Sequence, residues 1–166
     1  GMADRTITLG GYSKTFSITG WRIGYSVASA RWAQAIGAMN DLLYVCAPTP
    51  LQAGVAAGIQ ELPDLFYRDL ARDYQQKRDR FCQALAKAGL TPSIPQGAYY
   101  VLADASRLPG TTGKARAMFL LETIGLAGVP GEAFFSGPEG KQFIRFSYAK
   151  IDSDIDDACQ RLARLG

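Results

Sequence analysis

Apolar and polar positions change their period several times along this chain, and each change marks an element. Thr6-Ile7-Thr8-Leu9 is an apolar, β-branched stretch, and residues 5–10 read as a short buried strand. Residues 11–20, rich in Gly, Ser and Thr, read as a loop, and residues 22–28 as a second strand. Trp32, Ile36, Met39 and Leu43 then recur at helical spacing and predict a helix over about 30–44. Cys46-Ala-Pro-Thr-Pro50 breaks it. Pro50 opens a small-residue helix to about 61, whose Ala53, Gly54, Ala56, Ala57 and Gly58 permit close packing against a neighbour.

The longest amphipathic pattern covers residues 64–88. Phe66, Leu70, Tyr74, Phe81 and Leu85 form its stripe, Arg68, Arg72, Lys77 and Arg78 lie mostly off it, and Gly89 is a helix stop. A strand is predicted over 98–103, a helix over 113–124, a short strand over 126–129 and another strand over 142–148. A last helix covers 153–165, with Ile155, Cys159, Leu162 and Leu165 inward. Composition shifts at Leu62-Pro63, which places a domain boundary there. Residues 1–62 read as the end of a larger α/β domain, and residues 63–166 as a compact α+β domain with a small sheet covered by helices.

Composition narrows the function classes. With 48% hydrophobic and 20% charged residues in 166, the chain reads as a soluble globular protein. A net charge of +3, spread along helical stretches, argues against nucleic acid as a partner. No apolar run reaches membrane-spanning length, and no secretory signal is present. Cys46, Cys82 and Cys159 show no metal spacing, so no metal site is expected. They read as buried reduced thiols in a cytoplasmic protein. The absence of His removes His-based triads and leaves proton transfer to Lys, Tyr, Asp, Glu or Cys.

Three residues stand out chemically. Lys14 follows the first apolar stretch, in Ser13-Lys14-Thr15-Phe16-Ser17-Ile18-Thr19-Gly20-Trp21-Arg22-Ile23-Gly24-Tyr25. On composition alone it is an exposed loop lysine. Used as a nucleophile, its amine has to be neutral, which calls for desolvation or nearby positive charge. Arg22, eight positions on, offers a planar donor suited to a phosphate, or else a structural ion pair at a strand start. Arg145 sits among Phe143, Ile144 and Phe146, where an unpaired cation is costly. It needs an anion, either a protein carboxylate or a substrate.

The Lys14–Tyr25 segment resembles the cofactor-lysine motif of the class I/II, fold type I, pyridoxal-phosphate aminotransferases. In that family the lysine forms a Schiff base with the cofactor aldehyde and the arginine binds the cofactor phosphate. The resemblance therefore implies Lys14 as the catalytic residue and Lys14 and Arg22 as pyridoxal 5'-phosphate ligands. A family serine that often binds the phosphate is replaced by Gly11, and Ser13 is its substitute. Phe143-Ile-Arg-Phe-Ser-Tyr-Ala149 resembles the late strand whose arginine grips the substrate α-carboxylate, which implies that role for Arg145. Gly97-Ala-Tyr-Tyr100 and Gly131-Glu-Ala-Phe-Phe135 resemble segments lining the substrate side, with core packing as the alternative for their aromatics.

The resemblance runs in order along essentially the whole chain. It implies the C-terminal part of the transferase fold: the last strands and helices of the large domain, then a small mixed sheet covered by helices. Amino-acid and 2-oxo-acid substrates and a dimer are implied as well, since residues 44–52 resemble the segment near the family's dimer interface. The family's Asp at the pyridine nitrogen lies upstream of its lysine, and Asp4 does not match that position. The expectation is therefore a C-terminal portion that works as a homo-oligomer or with an N-terminal part, and that alone binds cofactor weakly. A non-enzymatic relic or interaction domain, and a lyase or synthase of the same fold, are the alternatives.

Overall fold

The computed structural model describes residues 1–165; Gly166, the last residue of the second expected domain, lies outside them. The chain divides into two compact units, Gly1–Arg68 and Asp69–Gly166.

The first unit carries a two-stranded antiparallel sheet, β1 (Thr8–Gly11) and β2 (Gly24–Val27), in the register Thr8↔Val27 to Gly11↔Gly24. A short 3-10 turn, Thr19–Trp21, lies in the connection. Two helices follow, α1 (Ala30–Leu43) and α2 (Thr49–Glu61), the second with Pro50 in its first turn. There the ring's fixed φ suits the helix and no N–H is lost to it. The strand expected over 5–10 was to be buried, and it is not: Ile7 is 42% and Leu9 78% exposed, and Val27 of the partner strand β2 60%. A two-stranded sheet has no third strand or covering layer within this unit, so alternation cannot hide its apolar side chains. Ile23 and Val55 are the buried apolar residues here.

Helix α3 (Asp64–Lys87) starts just after Pro63 and runs into the second unit, where it buries Phe81, Cys82 and Leu85. It stops at Gly89, whose φ of +80° is left-handed and favours glycine. The second unit holds a four-stranded sheet in the order β3-β4-β6-β5, made of β3 (Thr91–Ser93), β4 (Tyr100–Asp104), β5 (Val129–Pro130) and β6 (Phe143–Ser147). Helices α4 (Gly113–Ile124) and α5 (Asp152–Leu162) complete it. The edge strand β3 was not foreseen, because a three-residue Thr-Pro-Ser run carries no period. Every pairing is antiparallel, where a mixed sheet was expected. The connection between β3 and β4, residues 94–99, is too short for the crossover that parallel neighbours need.

Alternation decides what the sheet does with each face. Val101 and Ala103 of β4 and Ile144 and Phe146 of β6 enter one core with Phe81, Leu85, Leu120, Ile124, Ile155 and Leu162. Tyr100, Leu102, Arg145 and Ser147 take the opposite face, paired as Tyr100↔Ser147 and Leu102↔Arg145. Of the cysteines, Cys82 is buried and Cys159 half-buried, but Cys46 is exposed, contrary to expectation. No helix among the described residues is long and apolar enough to cross a membrane.

Tyr148, 1% exposed, ties the end of β6 to the turn before β4. Its hydroxyl donates to the Ala98 carbonyl at 3.1 Å, and its backbone N–H donates to Tyr99 O at 3.0 Å. Ala98 has φ 74°, a left-handed conformation that costs a residue with a Cβ about 1 kcal/mol or more. Burial pushes the Tyr148 phenol up from its ordinary range. The folded chain thus keeps this proton at a pH where the unfolded chain has released it. The resulting stability is intact below about pH 10 and is lost as pH rises toward the raised folded value. Tyr148→Phe is expected to cost about 1 kcal/mol at neutral pH. The gap to wild type should then narrow above about pH 10, because the variant has no phenol to lose. Urea unfolding at both pH values reads this, and a constant gap would refute the account.

Candidate functional site

The connection between β1 and β2 is a closed loop built by its own backbone. Gly11↔Gly24 pairing brings its ends together, and the Tyr12 N–H donates to Ile23 O at 3.2 Å. Inside, the Phe16 N–H donates to Tyr12 O and the Ile18 N–H to Ser13 O, at 3.1 and 3.0 Å. Ser13, Lys14 and Arg22 all lie on this one connection. Ser13 is half-buried, while Lys14 and Arg22 are exposed. The desolvation expected around Lys14 is not supplied within the described residues. Its chain neighbours Ser13 and Thr15 turn partly inward and leave Lys14 outward.

Two residues of this connection adopt left-handed backbone, Ser17 at φ 55° and Arg22 at φ 59°. Neither is glycine, and such strain clusters at sites where geometry serves a function. The Arg22 guanidinium donates through Nη1 to Thr19 O at 2.8 Å. The alternative of a structural ion pair is not realised: no carboxylate bridges Arg22 among the described residues. Among the described residues the rest of its fork is uncommitted.

Aromatic side chains seat the loop. Tyr12 stacks on Phe16 with ring centroids 5.8 Å apart, and its ring lies 5.2 Å from that of Tyr25. Phe16 also meets Phe66 and Tyr67, at 6.3 and 6.4 Å. On α2 two glycines one turn apart receive the loop: a Cβ on Gly54 would lie 2.9 Å from the Trp21 ring, and one on Gly58 3.5 Å from Phe16. The close packing expected of this small-residue helix is thus directed at the residues that flank Lys14 and Arg22. Sequence reasoning did not single out Tyr12, Phe16 or Trp21. The i, i+4 glycines were the signal that something large had to fit there.

In the second unit, Arg145 is half-buried on β6, between Leu102 of β4 and Val129 of β5 in register. The expected choice was a protein carboxylate or a ligand. Among the described residues its side chain has neither hydrogen bond nor ion pair; its Cζ lies 4.5 Å from the Phe134 ring centroid and 5.0 Å from that of Tyr100. The aromatics of the Gly97–Tyr100 and Gly131–Phe135 segments therefore do not all serve the core. Tyr100 could have been placed beside Arg145 once the antiparallel register of β4 and β6 was assumed.

The residues present fit a phosphorylated aldehyde in part. The loop offers a primary amine for the aldehyde, a guanidinium with donors uncommitted among the described residues for a phosphate, and the Ser13 hydroxyl on the same connection. It offers no acid for a ring nitrogen: the acids of residues 1–68 are Asp4, Asp41, Glu61 and Asp64, and none lies on the connection.

Comparison with known proteins agrees with the motif. The chain belongs to the aminotransferase class I and II family, whose model matches residues 1–162. It is 34% identical to a kynurenine–oxoglutarate transaminase of Dictyostelium discoideum over 186 residues, covering 99% of this chain and 42% of that protein. Among solved structures, N-succinyldiaminopimelate aminotransferase from Mycobacterium tuberculosis superposes with a TM-score of 0.90 at 29% identity, covering 100% of this chain and 43% of that one. A double mutant of Thermus thermophilus aspartate aminotransferase gives 0.87 at 30% identity, with 99% and 42% covered. The chain thus spans about 42% of the length of the relatives it matches.

The two glycines of α2 should respond differently to substitution. Gly58→Ala meets Phe16 at an ordinary contact distance and gains up to about 1 kcal/mol of helix propensity. Gly54→Ala gains the same propensity but has to displace Trp21. The expected result is a stability at least about 1 kcal/mol lower for Gly54→Ala than for Gly58→Ala, with altered tryptophan fluorescence only in the former. Equal stabilities and spectra would show that α2 does not seat the loop.

Proposed function

We propose that this chain supplies the amine, phosphate and carboxylate ligands of an enzyme that moves an amino group between an amino acid and a 2-oxo acid. Membership in the aminotransferase family supports the reaction class. The observation that carries the site is the single closed connection bearing Lys14, Ser13 and a strained, carboxylate-free Arg22.

Pyridoxal phosphate, when bound, supplies an aldehyde that condenses with amines and a ring that withdraws electrons from the substrate α-carbon. Lys14 Nζ would be the amine available to the aldehyde. As a free amine it would move the proton at the substrate α-carbon, a role open to lysine in a chain without His. Arg22 holds the phosphate through its fork, and Ser13 adds a hydroxyl donor. Arg145 binds the substrate α-carboxylate and so orients the α-carbon. With no acid on the loop for the ring nitrogen, affinity in this chain alone is expected to be weak.

The relatives are named for kynurenine, aspartate and N-succinyldiaminopimelate, which share an amino-acid backbone and differ in side chain, so the proposal is for the amino-acid class. Free cysteines support a reducing compartment, and we place the protein in the cytoplasm. Leu9, Val27, Leu42 and Leu43, all at least 60% exposed, support association with a second copy or with an N-terminal portion. Light scattering over a concentration series reads the first option. A strict monomer at every concentration argues against it.

The direct test is an absorbance titration with pyridoxal phosphate, borohydride reduction and peptide mapping. Label on Lys14, lost in Lys14→Ala, is expected, with weak saturation. Arg22→Ala should weaken binding by roughly ten-fold or more for pyridoxal phosphate, and hardly at all for unphosphorylated pyridoxal. Label scattered over other lysines would overturn the role of Lys14. An equal loss for both compounds would overturn that of Arg22.

A further inference from the structure

A cation half-buried on a sheet face is normally answered by a carboxylate. In the second unit that answer is given elsewhere: Arg80 bridges Asp156 at 3.1 Å, and Arg161 bridges Asp157 at 2.7 Å. Arg145 is treated differently. Its register partners are Leu102 and Val129, and its guanidinium carbon lies over the rings of Tyr100 and Phe134, at 5.0 and 4.5 Å.

The two compensations have different consequences. A carboxylate partner occupies N–H donors and cancels charge, so an incoming carboxylate has to compete with it. An aromatic face attracts the cation through its quadrupole and uses no N–H. The guanidinium is then located by two rings while all five of its donors stay available. Tyr100 and Phe134 come from separate segments, one at the start of β4 and one just after β5, and both reach the same side chain. Both rings also stay partly in contact with solvent, Tyr100 at 36% and Phe134 at 47% exposure. Core packing therefore does not account for their position.

We propose that Tyr100 and Phe134 are positioning residues for Arg145: they hold its guanidinium in place and leave its charge and donors free for a carboxylate. The inference rests on the reading of Arg145 as the carboxylate site, and it adds the residues that make that site ready. Neither ring is assigned contact with substrate. Their effect passes through Arg145.

The test uses side-chain NMR of the isotope-labelled full chain, with sodium acetate as the probe. Ring currents should displace the Arg145 δ and ε protons upfield in the wild-type chain, a readout that needs neither variant nor ligand. Acetate should give a saturable shift of the Arg145 Nε–Hε signal. Tyr100→Leu and Phe134→Leu should each reduce the upfield displacement and weaken acetate binding by about five-fold, the size expected for one cation–π contact. Tyr100→Phe and Phe134→Tyr keep the ring faces and should bind within about two-fold of wild type. Leu102→Glu, which puts an internal carboxylate beside Arg145, should abolish the acetate response while the ring-current displacement persists.

Absence of the upfield displacement in the wild-type chain overturns the proposal even if the Leu variants fail to fold. So does unchanged affinity in both Leu variants, or a loss that the conservative ring variants share. Displaced protons with no acetate response overturn both the readiness proposed here and the carboxylate role of Arg145. A positive acetate result without label on Lys14 leaves this inference standing and removes the cofactor half of the proposed function.

Discussion

Arg145 depends on the period of a single strand. β6 has to bury Ile144 and Phe146 to close the core of the second unit, and a pleated strand then sends Arg145 to the other face. A one-residue slip would place the guanidinium among Phe81, Leu85 and Ile155, where an unpaired cation is far more costly than anything the sheet gains. The apolar core therefore enforces the position of the charge. The same register sets Tyr100 and Leu102 on the face of Arg145, because antiparallel partners share a side. Tyr148, anchored in the core, fixes the strained Ala98 turn from which β4 starts. The position of Tyr100 thus follows from apolar packing on the opposite face.

The first unit solves a different problem. A loop carrying two cationic side chains has to be held without a large core beneath it. Its backbone bonds close on themselves, its ends are paired by Gly11 and Gly24, and its aromatics pack on Phe66, Tyr67 and the glycines of α2. Left-handed backbone at Ser17 and Arg22 is tolerated because these contacts over-determine the path. The strands themselves stay exposed, so hairpin pairing and aromatic stacking carry this unit more than burial does.

Much of this was legible in the sequence. The starts of α1, α2 and α3 follow from Trp32, Ile36 and Met39, from Pro50 and from the composition shift at Leu62-Pro63, while Thr112, which caps α4 by accepting from the Ala115 N–H, was a signal the sequence reading did not use. Lys14, Arg22 and Arg145 were visible because rare local patterns surround them. What escaped had no local signal. β3 is too short to show a period. The exposure of β1 depends on what covers it rather than on Thr6–Leu9 themselves. That aromatic rings, and not a carboxylate, answer Arg145 depends on the pairing of β4 with β6 for Tyr100 and on the path of the turn after β5 for Phe134, neither of which a window along the chain reports.

Arg22 and Arg145 share one electrostatic design despite lying in different units. Arginines on α3 are committed: Arg72 to Asp69, Arg78 to Asp79, Arg80 to Asp152 and Asp156. Such partly exposed pairs add little to stability, but they remove free donors from the surface. Arg22 and Arg145 are held instead by groups that do not cancel their charge, a backbone carbonyl in one case and two rings in the other. A carbonyl takes a single N–H and a ring takes none, so each fork keeps donors for a bidentate anion. Arg31, over the Trp32 ring at 5.2 Å, and Arg116, which donates to Lys141 O, are held in the same two ways, so a free fork prepares a cation for an anion but does not by itself mark a site. The two that the family motifs single out are both arranged that way.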